Sequence, residues 1–109
     1  MKVQLLEQQV YLIHHTNKTF NRILKFISES MFLQNPNSMI IEMSKNKNAI
    51  DINSLELIQK KLQALELILV LVSKNSAPND FLDHIIWVPT VIEAIDYIEL
   101  DRLQKHLYD

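Results

Sequence analysis

The chain contains no glycine and no cysteine in 109 residues. Glycine makes up about 7% of an average protein. Its absence excludes the phosphate cradles built on it: the P-loop, the dinucleotide fingerprint and the nucleophile elbow. It also removes the residue that takes positive φ at turns most readily. Asparagine is the next most tolerant, so Asn17, Asn35, Asn37, Asn46, Asn48, Asn75 and Asn79 are expected to occupy the turns. The lack of cysteine removes disulfides, thiolate metal sites and a cysteine nucleophile together. The longest apolar run, Leu67-Ile68-Leu69-Val70-Leu71-Val72, is far short of the roughly 18 to 20 residues a membrane helix needs. Met1-Lys2-Val3-Gln4, followed by Glu7 and glutamines, lacks the apolar core of a signal peptide. A cytoplasmic protein with no membrane partner is expected.

What is present is an ordinary globular composition, 48% hydrophobic and 22% charged, which argues against disorder and against a coiled coil. The length suits a single domain over 1–109. The net charge of −2 conceals an asymmetry: residues 1–48 carry +3 and residues 49–109 carry −5. An acidic face is therefore expected. Binding to a phosphate backbone requires several cations converging on one surface. Lys18, Arg22 and Lys25 form only a small group of this kind, and no nucleic-acid partner is expected.

The most informative stretch is Ile85-Ile86-Trp87-Val88-Pro89-Thr90-Val91-Ile92-Glu93-Ala94. It reads as a strand running into a capped helix, with Thr90 and Glu93 as a T-x-x-E capping box. The helix extends over 90–107 with Val91, Ala94, Ile95 and Ile98 facing inward. Upstream, residues 3–8 and 10–15 are rich in β-formers and suggest an opening hairpin turning at 7–9. Thr19 is placed to cap a helix whose apolar positions Phe20, Ile23, Leu24, Ile27 and Met31 follow the 3.6 period, until Asn35-Pro36-Asn37 stops it. A strand over 38–43, a polar loop over 45–48 and a helix opened by Asn53 and Glu56 come next, the helix carrying Leu55, Ile58, Leu62 and Leu65 on one face. The run 67–72 has no polar alternation and reads as the central strand, buried on both faces. Ser76-Ala77-Pro78-Asn79-Asp80 opens a short helix through Leu82. The order is ββαβαβαβα, an α/β fold with a mixed, mostly parallel sheet and helices packed on it, since strand–helix–strand crossovers make successive strands parallel. Trp87 is expected in the core.

That order, the length and the closing strand-to-helix block ending in Glu93-Ala94 resemble the STAS domain of anti-sigma factor antagonists. The resemblance implies a STAS-like sandwich that acts by protein–protein contact, with an unidentified protein, or a second copy as a homodimer, as partner. In the regulatory members a serine at the start of the helix after the third strand is phosphorylated. The matching stretch is Ile50-Asp51-Ile52-Asn53-Ser54-Leu55, and Ser54, with Asp51 and Asn53 nearby, is the position to which that role carries over. A phosphate there would meet free N–H donors at a helix N-terminus; serine is also common there for capping alone. The ending Val88-Pro89-Thr90-x-x-Glu93-Ala94-x-Asp96-x-Ile98-Glu99 is similar to that of small stand-alone bacterial proteins labelled ribonuclease Z, which implies a phosphoesterase as the alternative function. That enzyme family holds two zinc ions with an H-x-H-x-D-H motif, and the histidines here, His14, His15, His84 and His106, do not form one.

Other chemistry reads weakly. Adjacent strand residues point to opposite faces, so His14 and His15 are poorly placed to hold one metal. Asp80 and Asp83 read as a solvated helix face. A degenerate receiver domain is a second alternative. Ser73 and Pro89 are receiver-like, but Val88 stands where a receiver has lysine, and the first aspartate is Asp51, too late for the acidic pair after the first strand. No catalytic residue, cofactor or metal is expected, and the chain is read as a regulatory module and not an enzyme.

Overall fold

The computed structural model describes residues 2–14, 19–43, 52–73 and 85–107. Their order is β1 (Val3–Leu5), β2 (Tyr11–His14), α1 (Thr19–Phe26), α2 (Ser30–Gln34), β3 (Met39–Glu42), α3 (Ile52–Gln63), β4 (Leu69–Val72), β5 (Ile86–Val88) and α4 (Val91–Leu107). The five strands form one mixed sheet in the order β1-β2-β3-β4-β5. β1 lies antiparallel to β2, as the expected hairpin requires, and β2 to β5 are parallel. The class is α/β. The expected loop at 45–48 and the short helix at 76–82 lie outside the described residues.

Side-chain alternation along the strands divides the interior in two. Tyr11, Ile13, Met39, Ile41, Leu69 and Leu71 face α1, α2 and α3, meeting Phe20, Ile23, Phe32, Leu55, Ile58 and Leu62. Val10, Leu12, Ile40, Val70 and Val72 face the opposite way, onto Ala94 and Ile98 of α4. Three helices cover one face and α4 covers the other. Every residue of β4 is buried, as its unbroken apolar run implies. The middle strand, however, is β3, with β4 between it and β5. An uninterrupted apolar run reports burial on both faces, which any interior strand shares. Trp87 departs from expectation too: it sits half-buried on the edge strand β5, packed against the α1–α3 cluster.

The single helix expected from Thr19 to the stop at Asn35-Pro36-Asn37 is broken in two. The Ser28 hydroxyl donates to the Lys25 carbonyl at 2.6 Å, and the Ser28 and Glu29 amides close short i→i−3 turns on Lys25 and Phe26. This side-chain competition for a helix carbonyl ends α1. The chain restarts as α2 with a new phase, which buries Phe32 and leaves Met31 58% exposed. Phe32 then packs with Tyr11 and Phe26 in a trio whose ring centroids lie 5.5 to 6.0 Å apart. Such aromatic contacts add about 0.5 to 1.5 kcal/mol per pair beyond burial. The Tyr11 hydroxyl donates to the Asn35 carbonyl at 2.8 Å and fixes the end of α2.

Positive φ falls on residues that the asparagine reading did not name. Among the described residues these are Gln9 (φ 60°) and Glu66 (φ 61°). Glu66 closes α3 in a Schellman turn: the Leu67 amide donates back to the Leu62 carbonyl at 2.9 Å, and the Glu66 amide to Gln63 at 2.9 Å. Leu67 completes the motif by packing on the cluster that contains Leu62. Asn53, expected to cap α3, instead lies inside its first turn, exposed.

α4 follows expectation most closely. The Thr90 hydroxyl accepts the Glu93 amide at 3.1 Å, so Thr90 is the N-cap. Val91, Ala94, Ile95 and Ile98 all pack on the sheet. The far end of the helix is tied to two turns. Arg102 donates to the carbonyls of Gln8 and Gln9, and Lys105 donates to the carbonyl of Glu66 while pairing with Asp101 at 2.8 Å.

Candidate functional site

Ser54 is the third residue of α3 and is buried, 8% exposed. The expected placement at a helix start holds. The turn that carries Ser54 faces the core, because Leu55 and Ile58 on the same side of α3 are fully buried beneath it. A kinase requires the hydroxyl in solvent, and the residue as a whole is only 8% exposed. Its companion Asp51 lies outside the described residues, and Asn53 is exposed. This burial argues against the switch role.

The strands β2 to β5 all end at the same edge of the sheet, where ligands collect in parallel α/β proteins. His14 and Glu42 stand there in register on neighbouring strands. Their side chains, 55% and 43% exposed, approach to 3.7 Å between Nδ1 and Oε1, an ion pair when the ring is protonated. Counting along β2 and β3 places both on the face that α4 covers lower down, at Leu12 and Ile40. Zinc sites commonly use three or four protein ligands. Among the described residues, no group of three histidine or acidic side chains comes together for that purpose. His15 and His84, and the Asp80–Asp83 pair, lie outside the described residues. The crevice that serves catalysis in such sheets opens where strand order reverses. In this sheet it never reverses. Receiver domains have the order 2-1-3-4-5, so the sheet differs from theirs as well.

The surface that does stand out was missed in the sequence. α4 turns Ile92, Leu100 and Leu103 outward, 73%, 53% and 63% exposed, with Tyr97 on its flank. At 100° per residue Ile92, Asp96, Glu99, Leu100 and Leu103 share one side of the helix, away from the sheet. The reading of 90–107 identified the inward residues; the outward leucines were its visible but unused signal. Across the molecule, Val3 of β1, Arg22, Lys25 and Phe26 of α1, and Glu29 and Met31 line a groove of about 350 Å³. This is where two of the three early cations, Arg22 and Lys25, converge.

No family model matches the chain, and no curated protein matches it in sequence. No helix among the described residues is long and apolar enough to cross a membrane.

Proposed function

We propose that the chain is a non-catalytic interaction module of the STAS type, acting through protein contact. The observation that carries this reading is the outward side of α4. Single exposed apolar residues are ordinary; Ile92, Leu100 and Leu103 instead gather on one side of a 17-residue helix already anchored on its other side by Ala94 and Ile98. Amphipathic faces of this kind serve as partner surfaces, with anchors spaced along the helix. The antiparallel strand followed by four parallel ones, with helices on both faces, supports the STAS-like assignment. Affinity purification from the native host tests the role. A protein retained by the wild-type chain and lost with Leu100→Glu/Leu103→Glu supports it. Equal recovery by both chains rejects α4 as the contact face.

A second reading, a small phosphoesterase, draws on the His14–Glu42 pair, the one histidine–carboxylate contact among the described ion pairs. Hydrolysis of a phosphodiester by the purified chain, abolished in His14→Ala, would favour it over the interaction module.

A further inference from the structure

The outward side of α4 and the groove beside β1 are complementary in both charge and apolarity. On α4, Asp96 and Glu99 stand one helical turn apart, with Ile92 before them and Leu100 and Leu103 after. In the groove, Arg22 and Lys25 stand one turn apart on α1, beside Val3, Phe26 and the exposed Met31. Residues at i and i+3 lie about 5 to 6 Å apart on a helix surface, so the two charge pairs have the same spacing. Two other helical pairs of the chain are satisfied internally, Lys60 with Glu56 and Lys105 with Asp101. Among the described residues Arg22, Lys25, Asp96 and Glu99 have no such ion pair. Glu29 also lines the groove, which leaves its rim with two positive charges against one negative.

We infer that the acidic outward side of α4 in one copy docks in the groove between β1 and α1 of a second copy, setting Asp96 and Glu99 against Arg22 and Lys25 with the leucines of α4 on the apolar floor. The inference rests on the proposed interaction role and names a second copy as its partner. A symmetric contact of α4 on α4 is disfavoured by the same charges, since it would oppose Asp96 and Glu99 to themselves. The two surfaces lie on opposite faces of the sheet, because α1 packs on the Tyr11 face and α4 on the Leu12 face. The contact is therefore heterologous, and a pair of copies retains a free groove at one end and a free α4 at the other. Association then continues beyond a dimer, forming a stack or a ring.

Sedimentation velocity of the full chain over a concentration series, at low and high salt, tests this. The wild-type chain should grow past dimer as concentration rises and dissociate at high salt, because rim charges are screened. Lys25→Glu and Glu99→Lys should each weaken association at least tenfold, and the double variant, with the pair reversed, should regain it. All four charged positions are on exposed helix surfaces; thermal melts confirm folding, and Arg22→Glu with Asp96→Lys repeats the exchange at the second pair. Three results overturn the inference: a monomer throughout the series, a complex stopping at dimer, or association strengthened by Glu99→Lys and indifferent to Lys25→Glu, the signature of α4 on α4. A monomeric wild-type chain would leave the proposed contact with a different protein standing, since that is read by the affinity experiment alone.

Discussion

Arg102, on α4, donates from Nη2 to the carbonyl of Gln9 at 2.5 Å, and from Nη1 to that of Gln8 at 2.6 Å. Gln9 is one of the two left-handed residues among those described and closes the β1–β2 turn, its amide donating to the Leu6 carbonyl. The guanidinium thus reaches across 93 positions of sequence to hold a hairpin that has no glycine to relax it. Hydrogen bonds to a charged group contribute roughly 1.5 to 3 kcal/mol, less where solvent competes. We expect Arg102→Ala to lower unfolding stability by about 1 to 2 kcal/mol, read from urea melts, with Arg102→Lys recovering only part because one ammonium does not reproduce the two-pronged geometry.

Glu66 should be improved by the residue this chain never uses. Left-handed backbone costs a non-glycine residue roughly 1 to 2 kcal/mol, and Glu66 adopts it at the end of α3. Lys105 uses only the Glu66 carbonyl, which the substitution preserves. Glu66→Gly should therefore raise stability by about 0.5 to 1 kcal/mol despite glycine's greater freedom in the unfolded chain. A lower denaturation midpoint in Glu66→Gly would refute the strain argument.

Val70 is fully buried on β4, with α4 above it and strands on both sides. Val70→Asp would leave an unpaired charge in the interior. The cost, on the order of 4 to 5 kcal/mol or more, is comparable to the whole stability of a small domain. The expected outcome is loss of the cooperative thermal transition. Val70→Ala should keep that transition and lose roughly 2 kcal/mol.

Burial sets the sign of Ser54→Asp. A carboxylate in the first turn of a helix gains about 0.3 to 1 kcal/mol from the dipole at exposed sites. At 8% exposure the loss of hydration is several kcal/mol and dominates. We expect Ser54→Asp to destabilise by roughly 2 to 4 kcal/mol and Ser54→Ala by far less. Near-equal melts for the two variants would show that the hydroxyl reaches solvent and would reopen its candidacy as a modification site.

The strands, the closing helix and the buried character of β4 were legible because each is encoded by adjacent residues. Thr90 and Glu93 announce a cap three residues apart, and Leu69-Val70-Leu71-Val72 lacks polar alternation. The candidate site was less legible. Ser54 was placed correctly at the start of a helix, but whether that turn faces solvent depends on Leu55 and Ile58 finding the sheet, a contact with distant strands. The outward leucines of α4 were present in the periodicity and carried no meaning until the sheet showed which side of the helix was already occupied.

By itself the sequence determined the class, the parallel core and the phase of α4, since apolar spacing and capping act within a few residues and need no distant partner. Only the tertiary structure decided that β3, and not β4, holds the middle of the sheet, that α1 breaks at Ser28 so that Phe32 can join Tyr11 and Phe26, and that Gln9 and Glu66 carry the positive φ. The strand order, the packing of Phe32 on Tyr11 and the ties on Gln9 and Glu66 depend on segments far apart in the chain, where packing and hydrogen bonds from Arg102 and Lys105 add to what the local Ser28 bond and the turn closing α3 set.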